Sequence, residues 1–327
     1  MNSSHKPILH IAILGAGGIG CYYGAKLQAK GHNVSFIARG EHLAAMQSSG
    51  LELSHPNFEF KEKVDAFDLE TLIEQHQPVD FDAIIICIKT TATREIAESL
   101  RQWFEKYQQE AVVISLQNGV DNESQIAKAL GDDVVLGGLA VRIGGHIISP
   151  GVVEATGEAQ VVLGAWPYKG SQADKRFGKY VSQLVDVFNH AHIPTREVAN
   201  IRHELWRKLV INNGVNPLSA LTGLDTHEMS HDPYFGPIVH HMMKETAQVA
   251  LADDEILSEQ DADDMFELIR SFDPIKTSML VDLEKGRALE LDAISGAVIL
   301  RAMKLGVSVP YTETVHALLK HTLEKNV

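Results

Sequence analysis

Lys208, Asn212 and Asn216 recur at intervals of four in Trp206-Arg-Lys208-Leu-Val-Ile-Asn212-Asn-Gly-Val-Asn216-Pro217. That interval sets side chains in a row on one helix face, while Leu209, Val210 and Ile211 turn toward neighbouring helices. A lysine in such a row can give a proton to a carbonyl oxygen as hydride reaches the carbon, and amides beside it can bind a carboxylate or a hydroxyl. The same spacing also suits an exposed polar face ending at Pro217, and spacing alone does not choose. A later cluster runs from Lys276 through Ser278 and Asp282 to Gly286, followed by Glu290-Leu-Asp292. Ser278 could donate to a carboxylate, and Glu290 could hold a hydroxyl or keep Lys208 protonated. By spacing alone this cluster reads as a charged helix end.

Near the N-terminus stands Gly15-Ala16-Gly17-Gly18-Ile19-Gly20. It follows the apolar run Ile8 to Leu14 and opens the amphipathic stretch Ile19 to Lys30. Strand, tight turn and helix start are the setting in which G-x-G-x-x-G binds a dinucleotide. The first glycine allows the turn, the second lets backbone approach a pyrophosphate, and the third lets helix and strand pack closely. A second strand is predicted over Asn33 to Ala38. Where an acid at its end would bind the ribose of NAD, this chain has Arg39, which favours a 2′-phosphate and hence NADPH.

These residues need a scaffold. Asp82 to Ile88 and Ala111 to Leu116 are continuous apolar runs, the mark of central parallel strands, and lead into Lys89 and Asn118. The glycine loop, Lys89 and Asn118 thus fall at carboxyl ends of strands, where open α/β sheets bind ligands. Helices are predicted over Leu69 to Gln77, Ala92 to Tyr107 and Lys169 to His190. Val134 to Gly164 reads as short antiparallel strands completing a sheet edge, broken by Gly144-Gly145, Pro150-Gly151 and Gly157. Beyond Arg196 to Ala199 the pattern is helical. The expected fold class is α/β, a doubly wound Rossmann-type sheet over residues 1–197 followed by an all-helical domain over 198–327.

The 327 residues and 45% hydrophobic content suffice for two cores. A net charge of −14 argues against nucleic-acid or anionic-membrane partners. No run approaches a membrane span, and the polar start, Met1 to Pro7, lacks the apolar stretch of a signal peptide. Cys21 and Cys87 read as reduced core residues of a cytoplasmic protein. No metal site is expected: His203-Glu204-Leu205-Trp206-Arg207 fails H-E-x-x-H at Arg207, and the acidic run Ala252 to Asp264 lacks the glycine and closing glutamate of a calcium loop. The sequence leaves the oligomeric state open, a homodimer included.

Taken together, G-A-G-G-I-G with Arg39, I-K-T at Lys89, L-Q-N-G at Asn118, W-R-K-L-V-I-N-N-G-V-N-P and S-M-L-V-D-L-E-K-G-R-A-L-E-L-D resemble the ketopantoate reductase family, in the family's order, from about residue 8 to 310. The resemblance implies a Rossmann domain followed by a helical domain. NADPH would lie along Gly15, Ala16, Gly17, Gly18, Ile19 and Gly20, with Arg39 on its 2′-phosphate and Lys89 and Asn118 toward the nicotinamide. It further implies Lys208 as catalytic proton donor, Asn212 and Asn216 as substrate amides, Ser278 on the substrate carboxylate and Glu290 on its terminal hydroxyl. The implied reaction is reduction of 2-dehydropantoate to pantoate in pantothenate synthesis. Three positions depart from the family pattern: Val281, Leu289 and Thr312 stand where it commonly has glutamine, threonine and asparagine. Loss of polar partners in a pocket shifts selectivity. A reductase of another 2-oxo acid, or a nucleotide-sensing module without catalysis, are the competing readings.

Overall fold

Consecutive apolar residues must be covered on both faces, and the runs above become the middle of one large sheet. The computed structural model describes residues 7–271 and 273–325. The chain runs β1 (His10–Leu14), α1 (Gly18–Gln28), β2 (Asn33–Ile37), α2 (Gly40–Ser49), β3 (Leu51–His55), β4 (Phe58–Glu62), β5 (Asp65–Phe67) and α3 (Leu69–Gln75). It continues through β6 (Ala83–Ile86), α4 (Thr93–Tyr107), β7 (Val112–Ser115), α5 (Asn122–Leu130), β8 (Val135–Ser149), β9 (Val152–Ala165), α6 (Gln172–His190) and β10 (Thr195–Glu197).

Strands β5-β2-β1-β6-β7-β8 lie side by side and all parallel. Strand order reverses about β1, which makes this the doubly wound topology with its switch point between β1 and β6. Register aligns Leu14 with both Ile37 and Ile86, and Ile86 with Ser115. The loops after β1, β2, β6 and β7 therefore leave the sheet along one edge, at strand spacings of about 4.8 Å.

The predicted short edge strands are a different object. β8 and β9 are long and antiparallel, and β9 is internal. Its first residues pair in parallel with β3 and its last with β10, and β4 forms the edge beyond β3. Gly144-Gly145 does not interrupt β8. Instead Gly145 lets the strand cross the start of α1: a Cβ built on Gly18 would lie 2.0 Å from the Gly145 carbonyl carbon. α1 has the sheet on one side and this hairpin on the other, so Gly20 to Leu27 are all buried.

The second region is helical: α7 (Ile201–Thr222), α8 (Thr226–His231), α9 (Phe235–Ala252), α10 (Glu259–Arg270), α11 (Ser278–Glu284), α12 (Ala297–Leu305) and α13 (Pro310–Lys325). Local signals start these helices. Asp225 accepts the Glu228 N–H at 2.8 Å while Glu228 accepts the Asp225 N–H at 3.2 Å. Such a box is worth about 1 kcal/mol. α7 does not stop at Pro217 but carries it inside the helix, where the Asn213 carbonyl loses its usual donor. Packing fixes the rotation of α7. Asn213 is fully buried and donates to Thr246 on α9 (2.9 Å) and Thr312 on α13 (3.1 Å). Glu245 of α9 accepts the Tyr311 and Thr312 N–H groups at 2.8 Å each and the Thr312 hydroxyl at 2.7 Å, a carboxylate at a helix N-terminus.

By density of internal contacts the chain forms two units. One runs to Gln117 and resumes over Asn122–Ile201; the other comprises Asn118–Asp121 and everything from Arg202. Among the described residues no helix is long and apolar enough to cross a membrane.

Candidate functional site

In the first unit, the glycine loop is shaped by its own hydrogen bonds. The Gly15 and Ala16 N–H groups both donate to the Ile37 carbonyl, at 3.1 and 2.9 Å, and the Gly17 N–H donates to Gly15 O at 2.8 Å. Gly15 has φ +103° and sits so close to Cys87 and Ile88 that a Cβ would fall 2.7 Å from Ile88 N. A side chain there is excluded by conformation and by space. Gly17 is the opposite case: φ is −85° and a Cβ would meet nothing within 4 Å. No neighbour in the chain requires glycine there, whereas an approaching ligand would. Ala16 is buried under the loop and Ile19 half-buried. A Cβ on Gly20 would strike Gly15 O at 2.3 Å. The first intrahelical bond of α1 runs from Cys21 N to Gly17 O. The N–H groups of Gly18, Ile19 and Gly20 therefore precede the ladder, the arrangement that suits a phosphate.

Two cations stand on the same strand ends. Arg39 is exposed at the N-cap of α2, directly after β2, and its guanidinium forms no ion pair or hydrogen bond with a described residue. Lys89 is exposed just past β6, at the start of a 3-10 turn. Gln117, not singled out by sequence, is buried and braces this turn: its amide donates to Ile88 O at 3.1 Å and Thr93 Oγ1 at 2.8 Å. Burial pushes the Cys87 thiol up to about 12 and Cys21 higher still. Neither offers a thiolate near neutral pH.

The second unit holds the other predicted residues. Lys208, Asn212 and Asn216 do share one face of α7, adjacent to the face fixed by Asn213. Lys208 and Asn212 are half-buried, whereas Asn216 is 4% exposed. The side-chain amides of Asn212 and Asn216 form no hydrogen bond with a described residue. Asn216 is nearly enclosed, yet its amide is left to solvent or a ligand rather than to a protein partner. Ser278 is exposed at the first position of α11, behind the Thr277 cap.

Asn118 and Glu290 are brought together, which spacing could not foresee: Asn118 Nδ2 donates to Glu290 Oε2 at 3.0 Å. Glu290 stands two residues before a π-turn over Asp292–Gly296 that runs into α12, a helix irregularity often found at functional sites. The Asn118 loop has a second anchor that sequence reading missed. Arg301 donates to Asp121 at 2.6 Å and to Asp253 at 3.3 Å, and its guanidinium lies 5.3 Å from the Trp206 ring centroid. Asp253 also takes Arg202 at 2.7 Å. Its partners lie far apart in sequence, so no local pattern announces Arg301. Among the described residues no group of three His, Cys, Asp or Glu side chains is placed to hold a metal ion.

Comparison with known proteins follows the same division. Family models described as "Ketopantoate reductase PanE/ApbA" and "Ketopantoate reductase PanE/ApbA C terminal" match residues 11–168 and 200–324. The chain is 28% identical over 312 residues to 2-dehydropantoate 2-reductase of Pyrococcus abyssi, covering 95% of this chain and 97% of that protein. The crystal structure of a PanE/ApbA family ketopantoate reductase from Ralstonia eutropha JMP134 is similar with a TM-score of 0.83 at 28% identity, covering 97% and 99% of the two chains. A ternary structure of D-mandelate dehydrogenase with NADH and anilino(oxo)acetate shares the fold, with a TM-score of 0.85 at 24% identity over 98% and 100%.

Proposed function

Because the chain belongs to the ketopantoate reductase family, we propose that it reduces 2-dehydropantoate to pantoate with NADPH. The observation that carries the site assignment is the polar row on α7: a lysine in line with two amides, one of them 4% exposed and without a hydrogen-bond partner among the described residues. The open space at Gly17 and the exposed Arg39 support a phosphorylated dinucleotide along the glycine loop. NADPH, when bound, supplies hydride for C2 of the keto acid. Lys208 gives a proton to the C2 oxygen, so the ketone becomes an alcohol and the lysine leaves as a neutral amine to be reprotonated by solvent. Asn212 and Asn216 hold the substrate's oxygens, Ser278 its carboxylate, and Glu290 its terminal hydroxyl. Asn118 fixes the Glu290 carboxylate by hydrogen bonding.

A second reading, reduction of another 2-oxo acid, rests on Leu289, an apolar residue beside Glu290 where the family pattern carries a hydroxyl. One assay separates them. Oxidation of NADPH and of NADH is followed by absorbance with ketopantoate and with pyruvate. The proposal expects ketopantoate with NADPH to be the fastest pair; ketopantoate turnover no better than pyruvate favours the second reading. Lys208→Ala is expected to cut kcat by about 10²–10⁴-fold with NADPH affinity unchanged. Near-normal turnover would remove Lys208 from the mechanism.

A further inference from the structure

A cleft of about 660 Å³ opens in the first unit at the end of α1 remote from the glycine loop. Lys26 lies about 12 Å along the helix axis from Gly18. Lys26 and Lys30 form one wall, Phe58 of the β3–β4 hairpin another, and His192 of the α6–β10 connection the rim. Lys26 is 8% exposed. Its ammonium nevertheless meets no carboxylate or carbonyl among the described residues. It has only the rings of Phe58, 4.6 Å to the centroid, and Tyr22, 5.9 Å.

A lysine at the end of a helix is ordinarily explained by the helix dipole, and Lys30 needs no more than that. The enclosure of Lys26 without an acceptor is not explained so. Burial, then the charge of Lys30, push its pKa down, and Lys30, burial, Lys26 and His190 push that of His192 down. Lys26 and Lys30 gather on one cleft in a chain of net charge −14. Glu158, the acid on the wall, is committed elsewhere: its carboxylate takes Arg142 at 2.8 Å and the Gln160 amide at 2.7 Å. One ammonium over an aromatic face, with a second lysine on the same wall, fits an anion attached to a flat ring, and the volume is that of a small-molecule site.

We propose that this cleft is a second ligand site, distinct from the glycine loop, for a mononucleotide: its phosphate between Lys26 and Lys30 and its base against Phe58. The test uses the full chain with saturating NADPH, so that the glycine loop is occupied, and AMP, inorganic phosphate and adenosine as probes. Calorimetry is expected to show AMP binding with Kd below about 1 mM, inorganic phosphate binding more weakly, and adenosine not binding. Lys26→Met keeps the packed stem and removes the charge; Lys30→Gln removes the second. Lys26→Met and Lys30→Gln are each expected to weaken AMP about tenfold or more. Lys26→Met is also expected to raise the Tm of the ligand-free chain, because it removes an enclosed charge that lacks an acceptor. Wild-type AMP affinity in Lys26→Met, or no AMP binding at about 1 mM, overturns the proposal. Inorganic phosphate binding as tightly as AMP overturns the assignment of the base to Phe58.

Discussion

Gly17 and Gly18 are neighbours in sequence and opposites in space, and substituting each by alanine separates a packing requirement from a ligand requirement. On Gly17 the added methyl meets nothing within 4 Å, and φ of −85° is open to any residue. Folding stability should therefore change by less than about 0.5 kcal/mol. If the pyrophosphate lies against this backbone, the methyl occupies its space, and NADPH affinity should fall about tenfold or more, at about 1.4 kcal/mol per decade. On Gly18 the methyl would stand 2.0 and 2.1 Å from the carbonyl carbon and oxygen of Gly145 and 2.4 Å from His146 N. These are backbone atoms of a paired strand and have no rotamer to change. Overpacking of this kind costs about 1–3 kcal/mol or more, and at about 2–4 °C per kcal/mol for a unit of this size Tm should drop by several degrees. Thermal denaturation and fluorescence titration with NADPH read the two variants. Gly17→Ala with wild-type NADPH affinity would refute the placement of the cofactor, and Gly18→Ala with wild-type Tm would refute the packing of α1 under the hairpin.

Three further outcomes are expected. Arg39→Ala should raise KM for NADPH about tenfold while leaving KM for NADH and the Tm nearly unchanged, because Arg39 is exposed and forms no ion pair with a described residue; an equal effect on both cofactors would refute its role at the 2′-phosphate. Arg301→Ala should cost about 1–3 kcal/mol of stability, read by urea denaturation, and Arg301→Lys should restore little of it, since the side chain bridges two carboxylates and covers Trp206. His32, His42 and His316 all have pKa values pressed below the ordinary 6.5, chiefly by burial. The unfolded chain then takes up protons first, so stability is full above about pH 6.5 and falls as pH decreases through the lower folded-state values. A series of melts between about pH 8 and 5 checks this, and a flat Tm across that window would exclude it.

What the sequence made legible were features written in consecutive residues. Asp82 to Ile88 and Ala111 to Leu116 read as strands covered on both faces, and the glycine loop between strand and helix is a local pattern. The strand neighbours of β9 were not legible, because pairing with β3 and with β10 is decided by distant segments. Gly144-Gly145 reads as a break for a related reason, although β8 continues through it. A glycine that breaks a strand and a glycine that lets a strand pass a helix look alike until the helix is in view. Pro217 likewise reads as an end, yet the burial of residues on both sides of it, from Asn213 to Ala220, carries α7 through. At the candidate site, the row on α7 was visible by its spacing. The hydrogen bond from Asn118 to Glu290 spans 172 residues and that from Arg301 to Asp121 spans 180; no periodicity reaches so far.

The four residues Asn118–Asp121 have a consequence for biogenesis. They are flanked on both sides by the other unit, yet the groups they bind, Glu290 and Arg301, are synthesised 172 and 180 residues after Asn118 and Asp121. The loop must wait for those partners before its hydrogen bonds can close. For the same reason a fragment cloned from residue 202 onward would lack Asn118–Asp121, a piece of its own unit.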